Sequence, residues 1–149
     1  MGDIWFLNIA FQSHTLYRYA LAFCAGAIGA LSMAPFDFLP AMMVTLSVAV
    51  MLLDRADSIR IAALSGWLLG FGYFVAGLWW LGAAFFVDPT FIWAAPFGVV
   101  GLPALLALFF AACFAMAFYL WRSGPSRLVI FAIFLGFAEW LRGTLLTGF

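Results

Sequence analysis

Two ionisable residues, Glu139 and Arg142, stand three apart inside an otherwise apolar run. On a helix that spacing puts both side chains on one face, where a carboxylate and a guanidinium meet. Such a pair has two roles open to it. Either the charges neutralise each other and do nothing more, or they line a polar cavity that receives a charged group of a lipid or substrate. For the second role an arginine suits a phosphate, because its planar fork bonds two oxygens at once. The run that carries the pair, residues 128–149, is long enough to cross ~30 Å of hydrocarbon at ~1.5 Å per residue. Glu139 lies ~16 Å beyond Leu128 on that rise and is expected near the bilayer centre, where an ionisable group costs ~3 kcal/mol.

Little else in the chain offers chemistry. Cys24 and Cys113 both sit in apolar runs, at no disulfide or metal-ligand spacing, and read as packing residues. His14 has no ligand partner at helical spacing, so no metal and no cofactor is expected. All six basic residues are arginine, and the sequence contains no lysine. No residue is assigned a catalytic role.

The positioning of Glu139 and Arg142 follows from composition. Of 149 residues 68% are hydrophobic and 8% charged, whereas a water-soluble domain devotes about a quarter of its residues to charge. That deficit excludes a soluble enzyme, a disordered tail and a nucleic-acid binder. The expected fold class is an all-α integral membrane protein, a polytopic helical bundle of about five transmembrane helices.

Charges and prolines divide the chain into residues 19–34, 38–53, 61–87, 91–121 and 128–149. The first two are short and are either tilted spans or a re-entrant hairpin. In the fourth, Pro103 fits the first turn of a helix, so the span is expected from there to Trp121, with a broken lead-in around Pro96, Gly98 and Gly101. Residues 4–11 are expected at the membrane surface. Ser32-Met33-Ala34 has the small-x-small pattern of a signal cleavage site, but the long preceding region with Asp3 favours a retained anchor.

Gly66, Gly70 and Gly77 are expected on one helix face, with Gly26 and Ala30 on another, for close packing within the chain or between copies. Arg18, Arg55, Arg60, Arg122 and Arg127 fall on one side if the segments alternate, and the opposite loops hold Asp37 and Asp88. This bias puts the N-terminus in the cytoplasm and Phe149 across the membrane. Trp79, Trp80, Phe85, Phe86, Phe91 and Trp93 flank Asp88 as an aromatic belt should.

Three stretches carry a family resemblance. Residues 139–149, EWLRGTLLTGF, closely resemble the E-[FW]-L-R-G-x-x-L-T-G-F-P-W signature of the apolipoprotein N-acyltransferases of bacterial inner membranes. Residues 30–40, ALSMAPFDFLP, are similar to that family's proline-flanked loop between the first two helices, with Leu39 where tryptophan is common. Residues 66–81, GWLLGFGYFVAGLWWL, resemble its glycine-rich third helix.

The resemblance implies an enzyme that moves an acyl chain from a phospholipid to the N-terminal diacylglyceryl-cysteine of a lipoprotein. It also implies a bundle of eight membrane helices, with a periplasmic nitrilase-like domain between the last two and a Glu, Lys and Cys triad in that domain. The sequence ends at Phe149, where Pro-Trp would follow, and a chain without lysine cannot hold the triad. Residues 1–149 are therefore expected to be the N-terminal transmembrane domain alone, with the nitrilase-like catalytic domain absent and no catalytic residue carried over.

On this reading the chain is a non-catalytic anchor and lipid-presenting bundle in the bacterial inner membrane. Its partners are a phospholipid acyl donor, the lipoprotein N-terminus and the missing domain, with no nucleic acid, and Glu139 and Arg142 are the substrate-binding or lipid-binding candidates. The alternative is a self-contained small membrane protein that binds lipid or oligomerises into a pore. A pore would want polar residues repeated along a helix face, and only Glu139, Arg142 and a few hydroxyls answer.

Overall fold

The computed structural model describes residues 3–85, 89–122 and 124–145. Phe86, Asp88, the side chains of Phe91 and of residues 3–14, and the end of the last signature from residue 146 onward lie outside what it describes. The described residues form six helices and no strand: α1 Asp3–Gly29, α2 Leu39–Asp54, α3 Ile59–Gly77, the short α4 Leu81–Phe85, α5 Leu102–Tyr119 and α6 Ser126–Leu145. The chain is thus an all-α bundle.

Local sequence sets most boundaries. Pro40 and Pro103 stand in the first turns of α2 and α5, where a missing N–H breaks no helical bond. Ser58 caps α3, its hydroxyl accepting from the Ile61 N–H at 3.3 Å. Between α4 and α5 the backbone runs through a 3-10 turn at Pro89–Ala94 and a π turn at Phe97–Gly101, the irregular lead-in expected of Pro96, Gly98 and Gly101.

Two boundaries differ from expectation. Helix α1 begins at Asp3 and runs unbroken through residues 4–11, so the first helix starts well before the apolar segment at residue 19. Helix α3 stops at Gly77 instead of reaching Val87, and a turn at Leu78–Trp80 leads into α4. Apolar composition continues across this break, so hydropathy alone carries no stop signal there.

Among the described residues three helical stretches are long and apolar enough to cross a membrane: Ile59–Gly77, Ile92–Tyr119 and Ser126–Leu145. Helix α2 is shorter at 16 residues, ~24 Å by the standard rise. At one end of the α1–α2 hairpin Arg18 donates to the carbonyl of Arg55; at the other a Cβ on Gly77, the last residue of α3, would press on Met33 Sδ at 2.9 Å. The hairpin therefore extends along the length of α3.

Helix α3 lies between α1 and α5, and glycine makes both contacts close. A Cβ on Gly66 would stand 2.7 Å from the Phe110 carbonyl of α5, and one on Gly26 would stand 2.9 Å from the Tyr73 nitrogen. The small residues noted in the sequence are thus engaged in packing within the chain. Gly77, expected on the same face as Gly66 and Gly70, instead meets the α1–α2 loop. Phe114, Leu106 and Cys113 of α5 and Leu69 of α3 form the centre of the core. Phe114 meets Phe131 of α6 edge-on at 5.7 Å, which ties the last helix to the bundle.

Four chain segments converge at one end. Arg127 bonds both oxygens of Asp54 at 2.8 and 2.9 Å, and the indole N–H of Trp121 donates to the same carboxylate at 2.9 Å. With Arg18 against Arg55, this brings four arginine-bearing or arginine-adjacent segments, spread along the sequence, to one face of the bundle.

Candidate functional site

Helix α6 packs chiefly on α5 and presents Glu139 to an opening between itself and α2. The opening is a cavity of about 260 Å³. Met42, Thr45 and Ala49 of α2 form one wall and Phe131, Leu135 and Glu139 of α6 the other, with Leu69, Tyr73, Phe110 and Phe114 behind. It shares Leu46, Phe131 and Leu135 with a groove of about 460 Å³ that continues between the same two helices past Ser47, Val50, Ala132 and Leu128. The two together make an apolar cleft with its ionisable group near one end.

Arg142 and Glu139 meet as their spacing predicts, with Arg142 Nη2 2.5 Å from Glu139 Oε2. The arginine side chain is 19% exposed and the glutamate 40%, so the carboxylate is the more accessible partner. The guanidinium also stands over the ring of Phe74, 5.3 Å from its centroid. Contacts of this kind contribute ~0.5–2 kcal/mol, more where water is excluded. The Nε of Arg142 is buried and has no hydrogen-bond partner among the described residues. Of the pair, Glu139 is the one that lines the cleft.

Depth follows from the helix rise. Arg127, paired with Asp54 at the arginine-bearing end, lies ~18 Å below Glu139 along α6. Against ~30 Å of hydrocarbon that separation is a little over half the thickness of a membrane core.

Thr45, Tyr73 and Phe74 complete the surroundings, and sequence reasoning missed all three. Thr45 is 3% exposed, and its hydroxyl donates to the Ala25 carbonyl of α1 at 2.7 Å while lying 3.1 Å from its own Ala41 carbonyl. Gly29 makes room for it, since a Cβ there would stand 2.6 Å from the Thr45 oxygen. A threonine in an apolar helix is a detectable signal, because a buried hydroxyl needs a partner. Tyr73 and Phe74 lie in an aromatic stretch with nothing to distinguish them from lipid-facing neighbours.

Cys113 is fully buried in α5 and Cys24 is exposed on α1, and neither lines the cleft. Among the described residues no three His, Cys, Asp or Glu side chains gather where a metal ion could be held.

Sequence comparison adds relatives to this geometry. The family model of the apolipoprotein N-acyltransferase N-terminal domain matches residues 25–149. The chain is 47% identical over 138 residues to an apolipoprotein N-acyltransferase of Rhodopseudomonas palustris, covering 89% of this chain and 26% of that protein. It is 47% identical over 142 residues to one from Rhizobium rhizogenes and 46% identical over 144 residues to one from Brucella melitensis, each match covering 89% of this chain and 27% of the relative. The chain spans about a quarter of the length of the curated relatives it matches.

Proposed function

Because the chain belongs to the apolipoprotein N-acyltransferase family, matching its N-terminal domain, we propose that it is the membrane half of an enzyme that moves an acyl chain from a phospholipid to the N-terminal diacylglyceryl-cysteine of lipoproteins. Its own part is to anchor the enzyme in the bacterial inner membrane and to present lipid, while bond-making belongs to the nitrilase-like domain. The lack of any lysine supports this division. A nucleophilic thiol needs a base or a nearby cation to become a thiolate, and Cys113 is enclosed by apolar neighbours in the core.

The observation that carries the reading is the cleft between α2 and α6 with Glu139 in its wall near one end and Arg142 paired to that carboxylate. An acyl chain fits apolar walls, and Arg142, paired with the cleft-lining Glu139, would supply a donor for a phosphate or ester oxygen once its side chain turns from its buried position. Glu139 keeps the arginine oriented and offers an acceptor to a headgroup that carries an ammonium. The N-terminus is cytoplasmic and Phe149 periplasmic on the arginine bias, so the pair sits in the half of the membrane nearer the periplasm.

The test is a chimera in which residues 25–149 replace the matched region of the Rhodopseudomonas palustris relative. It should N-acylate a diacylglyceryl-cysteine peptide in phospholipid vesicles, whereas this chain alone should transfer nothing. A chimera that inserts and folds yet remains inert would overturn the assignment.

A further inference from the structure

We infer that the arginine-bearing end of the α1–α2 hairpin holds a second, separate lipid site, a pocket for the phosphodiester of an anionic phospholipid. The pocket has a volume of about 210 Å³ and is lined by Tyr17, Arg18 and Leu21 of α1 with Met51, Leu52 and Arg55 at the end of α2. It lies at the opposite end of the hairpin from the Met33 loop and shares no residue with the α2–α6 cleft.

The side chains are arranged as a headgroup site requires. One terminal nitrogen of Arg18 donates to the Arg55 carbonyl, which fixes the first guanidinium beside the residue that carries the second. The ion pairs among the described residues are Asp54 with Arg127 and Glu139 with Arg142, so no described carboxylate forms an ion pair with Arg18 or Arg55. Asp54, the acid nearest in sequence to Arg55, is already bound by Arg127 and Trp121. Two adjacent uncompensated guanidiniums attract a phosphate, whose oxygens their forked donors match.

Level and shape point to a lipid rather than a free anion. Tyr17 and Tyr119 near this end are 68% and 82% exposed, as aromatic residues at the headgroup belt are. Leu21, Met51 and Leu52 give the pocket an apolar side, against which acyl chains lie while the phosphate stays with the arginines. Basic pockets between helices on the cytoplasmic side are a recurrent form of anionic-lipid recognition.

The experiment titrates the purified 149-residue chain, in neutral detergent, with phosphatidylglycerol or phosphatidylcholine and reads bound lipid by native mass spectrometry. Phosphatidylglycerol should be retained in preference to phosphatidylcholine. The double variant Arg18→Gln/Arg55→Gln should weaken retention roughly thirtyfold, taking ~1 kcal/mol for each arginine at a membrane surface. Arg60→Gln/Arg122→Gln removes the same charge from the same end and should change retention less than about threefold, because those residues do not line the pocket.

Equal losses in the two double variants would overturn the proposal in favour of a diffuse positive face. Equal retention of the two lipids, or displacement of phosphatidylglycerol by inorganic phosphate at matched concentration, would overturn the assignment to an anionic phospholipid. Should the first double variant fail to fold, Arg55→Gln alone serves, since the Arg18 contact uses only the Arg55 backbone carbonyl. That variant should still weaken phosphatidylglycerol about fivefold, and an unchanged affinity would refute the site.

Discussion

Replacing Gly72 with alanine tests the packing of α1 on α3. A Cβ at this position would overlap the carbonyl oxygen of Phe23 and stand 3.0 Å from its carbon and 3.2 Å from the Ala27 nitrogen. All three are backbone atoms, so no side chain can swing aside, and the two helices must separate or tilt. Overpacking of this kind costs ~1–3 kcal/mol. The gain in helix propensity on replacing glycine by alanine offsets up to ~1 kcal/mol of that. Gly72→Ala should therefore lower stability by about 1–2 kcal/mol, a factor of roughly five to thirty in the folding equilibrium.

Gly136→Ala is the matched control, because a Cβ there meets nothing within 4 Å, and it should be neutral or stabilising by up to ~1 kcal/mol. Unfolding in mixed micelles by increasing sodium dodecyl sulfate, followed by helical circular dichroism and tryptophan fluorescence, measures both. If Gly72→Ala proved as stable as Gly136→Ala, the close α1–α3 approach would be wrong, and with it the position of the hairpin that forms one wall of the cleft.

Two further predictions address orientation and buried polarity. In a background without Cys24 and Cys113, Ser58→Cys and Ser126→Cys should resist a membrane-impermeant thiol reagent in intact cells while Thr90→Cys reacts; the reverse pattern would invert the topology. The Ser65 hydroxyl is fully buried in α3 with no partner among the described residues, so Ser65→Ala should leave stability unchanged or raise it by ~1 kcal/mol in the same micelle titration, and a clear loss would reveal a hydrogen bond that the structure does not contain.

The sequence made the helices legible more readily than their faces. Pro103 marks a helix start by local stereochemistry and stands where that chemistry requires, and Pro40 and Ser58, not singled out in the sequence, prove to do the same. The pairing of Glu139 with Arg142 was readable because charge in an apolar run leaves few alternatives at a spacing of three. By contrast, helices that are apolar all round carry no periodicity to say which residues face a neighbour and which face lipid. Phe74 beneath Arg142 and Gly72 beneath Phe23 are therefore invisible until the helices are packed. The end of α3 escaped for a related reason, since Leu78, Trp79 and Trp80 continue the apolar run through a turn.

The pair that Glu139, in the cleft wall, makes with Arg142 bears the functional claim, and replacing both residues separates its two roles. Removing one partner strands a partly buried charge, whereas replacing both ions with apolar residues is often near neutral for stability. Glu139→Leu/Arg142→Leu should thus fold within ~1 kcal/mol of the parent while either single change destabilises more. The decisive measurement is acyl transfer by the folded chimera carrying that double substitution, assayed with a diacylglyceryl-cysteine peptide in phospholipid vesicles. Transfer reduced at least about tenfold, equivalent to ~1.4 kcal/mol of lost lipid or transition-state binding, is the predicted result. Full activity in the doubly substituted chimera would contradict it and leave Glu139 and Arg142 as a structural ion pair.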